Sequence, residues 1–68
     1  MNIGDKHQGY KIIAKTAYRY VLGYNPDALA PYGVWYLDSH GEPCAGNYFR
    51  ERKDAIADFS TRGFGYYD

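Results

Sequence analysis

Apolar and polar residues alternate along much of the first part of the chain, and the alternation gives way to helical spacing near its end. Tyr10, Ile12, Ala14 and Thr16 alternate with Lys11, Ile13, Lys15 and Ala17; Tyr18, Tyr20, Leu22 and Tyr24 then alternate with Arg19, Val21 and Gly23. A period of two predicts strands. The run exceeds one ordinary strand of about 5–6 residues, so it is read as two strands with a break near Thr16-Ala17-Tyr18. A short helix over 12–20 is the competing reading. Residues 1–9 are polar and aperiodic, a loosely ordered lead-in from which His7 and Gln8 can join the first strand.

Asn25-Pro26-Asp27 opens a loop, because Asn before Pro is pushed to extended geometry and Pro-Asp favours a turn. The loop runs on to Pro31 and Gly33, with Leu29 expected to fold back over an apolar patch. Val34-Trp35-Tyr36-Leu37 is the next strand. Asp38-Ser39-His40-Gly41-Glu42 is turn chemistry, with Gly41 free to take positive φ. Residues 44–49 return as the partner strand. Pro43, which lacks an amide hydrogen, suits its first position, and Gly46 marks a bulge or a close crossing.

The spacing of Ala55, Ile56 and Phe59, with the Arg52 stem beside them, predicts a helix over 51–62. Gly63 is placed as its C′ residue. The element order predicts one α+β domain: a small antiparallel β-meander of three to four strands over 10–49, with the C-terminal helix packed on one face. Trp35, the largest side chain, is expected beneath that helix with Ile56 and Phe59.

Composition narrows the picture. A chain of 68 residues makes one domain, and one this small buries only about 60% of the surface its unfolded form exposes. Cys44 is the sole cysteine, so no internal disulfide can staple the fold; it is read as a half-buried strand residue. Nine tyrosines supply dense aromatic packing instead, and they are more rings than one small core hides. The formal net charge is zero, which lowers the case for a protein that lives by phosphate contacts. The first residues lack the apolar core of a targeting signal, no apolar run reaches the roughly 20 residues of a membrane span, and an unpaired cysteine fits a reducing compartment. The expectation is a cytoplasmic protein with no membrane partner.

No catalytic constellation stands out. Asp38, Ser39 and His40 name a hydrolytic triad, but a working triad is spatial, and three consecutive turn residues point apart. His7, His40 and Cys44 lack the paired spacing of a zinc site. Asp27, Asp38, Glu42, Glu51, Asp54 and Asp58 are scattered, without a cleft to perturb them. No metal, cofactor or enzymatic activity is therefore expected. Tyr18, Arg19, Tyr20, Tyr36 and Tyr48 have the composition of a protein-binding surface, since Tyr, Trp and Arg anchor interfaces. Lys11, Lys15 and Arg19 share one alternation class if the strands run straight through, and Arg50, Arg52 and Lys53 cluster before the helix. Basic residues beside stacking tyrosines are the parts of a single-strand nucleic-acid binder.

Tyr20-Val21-Leu22-Gly23-Tyr24-Asn25-Pro26, then Ala30-Pro31-Tyr32-Gly33-Val34-Trp35, then Gly46-Asn47-Tyr48-Phe49 through Ala55 to Asp58-Phe59 carry a resemblance. Over residues 10–59 the chain resembles a family of small uncharacterised proteins carried by phages, plasmids and conjugative elements of Gram-positive gut bacteria. It departs at Gly33-Val34, where the family tends to have a β-branched residue and Thr, and in a shorter first hairpin. The resemblance implies no catalytic residue. It implies an accessory protein of a mobile element that binds and blocks a host factor, with a defence nuclease such as a CRISPR effector among the targets. The expectation is thus a non-enzymatic protein-binding module whose partner is a host or mobile-element protein. The alternative is a small single-stranded nucleic-acid-binding protein, and a homodimer through the tyrosine face is the third reading.

Overall fold

Five antiparallel strands and one helix make up the computed structural model, which describes residues 1–16 and 19–64. The strands are β1 (Lys6–His7), β2 (Tyr10–Lys15), β3 (Tyr20–Tyr24), β4 (Tyr32–Leu37) and β5 (Pro43–Phe49), and α1 (Arg52–Phe64) follows. Neighbours in sequence are neighbours in the sheet, which curls into a half-barrel. The α+β meander with a C-terminal helix is as the sequence predicts, with one strand more.

The extra strand comes from the lead-in. His7 pairs with Tyr10 across the two residues Gln8 and Gly9, whose φ values of 53° and 86° are the paired positive angles of a type I′ hairpin turn. The segment before it is tied to β2 as well: the Gly4 amide donates to the Ile12 carbonyl at 2.8 Å and the Ile12 amide to the Asp5 carbonyl at 2.8 Å. The long alternating run forms two strands, not the competing helix. Their connection is closed by the Thr16 amide donating to the Tyr20 carbonyl at 2.9 Å and the Tyr20 amide donating to Thr16 Oγ1 at 3.2 Å. Ala17 and Tyr18, where the break is expected, lie outside the described residues.

Two irregularities govern which side chains share a face. Between β2 and β3 the partners Ile12↔Gly23 and Ala14↔Leu22 leave Ile13 unopposed, and such a bulge reverses the alternation beyond it. Between β4 and β5, Val34 pairs with Asn47 and Tyr36 with Cys44, so Ala45 and Gly46 together oppose Trp35. Ala45 takes a φ of 51° there. Gly46 thus marks both a bulge and a close crossing.

The two faces carry separate cores. Tyr10, Ile12, Val21, Trp35 and Leu37 cluster on one. Leu22, Val34 and Ala55 cluster on the other, with Tyr20, Tyr32, Phe49 and Phe59 against them. Trp35 is buried as expected, but on the face away from the helix. Val34 and Trp35 are consecutive in a strand, so one must turn from α1, and the indole fits where glycine makes room. A Cβ on Gly23, Gly33 or Gly46, one on each of β3, β4 and β5, would come within 2.8, 2.4 or 2.5 Å of indole atoms. Rings from both ends of the sheet close over it: His7 of β1 at 5.3 Å and Tyr48 of β5 at 5.7 Å, with Tyr10 at 5.2 Å between ring centroids. The two edge strands reach one indole, so this is the concave face.

The helix rests on β3, β4 and β5 through Ala55 and Phe59. Ile56 stays 39% exposed, because the residue after Ala55 is rotated roughly 100° from it about a 3.6-residue turn. The helix continues to Phe64, so Gly63 lies within it and not at a C′ position. Leu29 does not fold back: it is 89% exposed. An Asx turn sets the loop, with the Asp27 amide donating to Asn25 Oδ1 at 3.0 Å. Ala28 is the residue of the loop that packs on the Trp35 cluster.

Candidate functional site

Cross-strand register places four tyrosines on the helix side of the sheet in two pairs. Tyr20 opposes Tyr36 and Tyr24 opposes Tyr32, with ring centroids 5.3 and 5.0 Å apart. The Leu22–Val34 pair lies between them, under Ala55. The tyrosines therefore flank the helix contact at both ends of the strands. Tyr20 and Tyr32 pack against that core, while Tyr36 and Tyr24 remain 38% and 37% exposed.

The expected partner-binding set is thus divided. Tyr20 and Tyr36 come together. Arg19 precedes Tyr20, and its carbonyl accepts the Leu37 amide at 2.7 Å, but its Nη1 donates to the Asp38 carbonyl at 3.1 Å, toward the β4–β5 hairpin. Tyr48 sits on the concave face, 47% exposed beside Tyr10 and Trp35. Tyr18 lies outside the described residues. Cys44 opposes Tyr36 on β5 and is exposed, not half-buried: the helix covers the middle of this face and leaves the strand end at Cys44 uncovered.

The basic residues are divided as well. Lys11 opposes Tyr24 and Lys15 opposes Val21, so the bulge at Ile13 puts them on opposite faces and breaks the shared alternation class. Lys11 belongs to a row, Lys6–Lys11–Tyr24–Tyr32–Phe49, that crosses the whole sheet at one end of the strands. Arg50 follows Phe49, and Arg52 and Lys53 open α1; all three are exposed. The sequence alone does not single out Lys6, since its place in the row depends on the Gln8-Gly9 hairpin.

Lys15 and Arg19 lie at the other end. With Thr16, Leu37 and the hairpin tip Ser39-His40 they line a shallow open pocket of about 490 Å³. The hairpin beside it is tightly tied. Asp38 Oδ1 accepts the amides of His40 at 2.8 Å and Glu42 at 3.0 Å, the Gly41 amide donates to the Asp38 carbonyl at 2.9 Å, and Gly41 has a φ of 80°. Asp38 thus meets the backbone of His40, which is turn geometry rather than that of a triad. His7, His40 and Cys44 stand in three separate places, and no group of three or more potential metal ligands converges among the described residues.

Burial pushes the Tyr10 hydroxyl above its ordinary 10.0, and the nearby Tyr48 adds to the effect. The same hydroxyl donates to the Ala30 carbonyl at 2.7 Å, holding the 25–31 loop to the sheet. No helix among the described residues is long and apolar enough to cross a membrane. Compared with protein-family models, curated proteins and solved structures, the chain matches none.

Proposed function

We propose that the chain is a non-enzymatic protein-binding module that engages its partner through the end of the half-barrel carrying Tyr36. The observation that supports this reading is the Tyr20–Tyr36 pair. A half-buried ring packed on the helix core steadies a more exposed one, an amphipathic anchor at low entropic cost of the kind that dominates interface energies. Arg19 and the exposed Cys44 adjoin it. An exposed thiol fits a reducing, cytoplasmic setting. A mobile-element origin, and a defence nuclease such as a CRISPR effector as target, enter this proposal through the family resemblance alone.

The test is affinity capture from lysates of Gram-positive gut bacteria, the hosts that the resemblance implies. Tyr36→Ala is expected to lose a protein retained by the parent and by Leu29→Ser, which alters an exposed side chain in another loop. Equal capture by all three places the interface elsewhere.

A second reading has its own support. The row of Lys6 and Lys11 beside the Tyr24–Tyr32 pair, near Arg50, Arg52 and Lys53, joins cations to exposed rings as a single-strand binder does. It predicts oligonucleotide affinity that falls steeply with added salt and is lost in Lys11→Ala/Tyr24→Ala. Salt-independent binding, or none, removes it.

A further inference from the structure

Among the described residues, two cationic side chains without acidic partners, Lys15 and Arg19, line the pocket at the hairpin end, with Met1 also in its wall. Lys15 Nζ makes one long contact, 3.4 Å to Asn2 Oδ1, and Arg19 spends one of its five donors on the Asp38 carbonyl. Neither is ion-paired within the described residues. Arg19 is also held at a φ of 69°, a left-handed conformation uncommon for a residue of its kind. Unusual backbone of this sort clusters at ligand sites. Leu37, almost fully buried, gives the pocket an apolar floor.

We infer that this pocket receives a carboxylate side chain from the protein partner, an inference that rests on the reading above and gives that partner its chemistry. Two charged donors meet a carboxylate with the strongest class of hydrogen bond, and the Leu37 floor accommodates the methylenes of an acidic side chain. Asp38 borders the pocket, with Oδ1 already committed to two amides. Its negative charge opposes a phosphate dianion more than a carboxylate monoanion. Tyr36 precedes Leu37 in β4, and Tyr20, the first residue of β3, follows Arg19, so a segment resting on the tyrosine pair reaches the pocket over the strand ends.

The test is amide chemical-shift titration of the full isotope-labelled chain. The probes are N-acetylglutamate α-methylamide, its uncharged glutamine counterpart, and inorganic phosphate. The carboxylate probe is expected to give saturable shifts at Thr16, Arg19, Leu37 and Gly41, and the glutamine counterpart none. In Lys15→Gln/Arg19→Gly, which removes both charged donors, affinity is expected to fall by at least about tenfold, the worth of one charge-assisted hydrogen bond in a solvated site. Lys15 is exposed and glycine suits the Arg19 backbone, so this variant keeps its fold, as unchanged shifts in the Trp35 cluster would show. Equal shifts from the glutamine probe, undiminished binding in the double variant, or tighter binding of phosphate than of carboxylate overturns the inference. Each of those results leaves the Tyr36 interface standing, since capture by Tyr36→Ala tests it separately.

Discussion

Replacing Gly33 by alanine tests the glycine bed under Trp35. The new methyl would lie 2.4 Å from indole Cη2, 2.8 Å from Cζ2 and 2.9 Å from Cζ3, about 1 Å inside the 3.4 Å at which ordinary contact begins. The ring cannot withdraw freely, because Tyr10, His7 and Tyr48 pack against it. The backbone cannot withdraw either, because Gly33 is paired on both sides, with Gly23 and Tyr48. Overpacking of this kind costs about 3 kcal/mol at the upper end of its usual range. The φ of Gly33 suits alanine, so reduced freedom of the unfolded chain offsets roughly 0.5–1 kcal/mol. The net loss of about 2 kcal/mol is large against a total of roughly 3–10 kcal/mol for a domain of this length, and it lowers Tm by about 8–16 °C. Thermal and denaturant unfolding, followed by Trp35 fluorescence, measure it. Trp35→Phe removes the three ring carbons nearest Gly33, so in that background the Gly33→Ala penalty should largely vanish, a coupling that a double-mutant cycle reads directly. An unchanged Tm for Gly33→Ala, or the same penalty with Phe at position 35, would refute the packing described.

Further outcomes follow from single contacts. Tyr10→Phe removes the hydrogen bond to the Ala30 carbonyl and should cost about 1 kcal/mol, with faster proteolysis in the 25–31 loop; unchanged proteolysis would show that the hydroxyl does not hold it. Because Tyr10 ionises above 10.0 in the folded state, the folded chain keeps its proton longer than the unfolded one. Its stabilising effect is full below pH 10 and is lost as pH rises through the raised value. The parent's Tm should fall more steeply than that of Tyr10→Phe on the alkaline side, and parallel curves would count against burial as the cause. Leu29→Ser, at an 89% exposed site, should change stability by less than about 0.5 kcal/mol, whereas a large loss in denaturant unfolding would mean that Leu29 has a packing partner.

Much of the architecture is legible in the pattern of residues, because alternation, Asn25-Pro26-Asp27 and the Asp38-to-Glu42 turn are local signals with local causes. The extra strand escaped because Gln8-Gly9 lacks the Asn-Gly or Asp-Gly pair that announces a type I′ turn. The placement of Lys15 escaped because nothing in Ile12-Ile13-Ala14 marks a bulge: neither glycine nor proline punctuates it, yet one unopposed residue reverses every side chain beyond. Trp35, expected beneath the helix, faces away from it for a different reason. Its position is decided by three glycines from three strands, and their convergence exists only once the sheet is assembled. The tyrosine excess pointed to surface rings, and Tyr36 is one. That Tyr20 and Tyr32 would instead pack on the helix core depended on where α1 lands.

The central claim, that the partner is a protein, is tested most directly by affinity capture of the tagged chain with and without nuclease treatment, read by mass spectrometry. The account predicts a stoichiometric protein that survives nuclease and is lost in Tyr36→Ala. Recovery of nucleic acid, or of proteins that disappear on nuclease treatment and are retained by Tyr36→Ala, would contradict it and favour the Lys11–Tyr24 row.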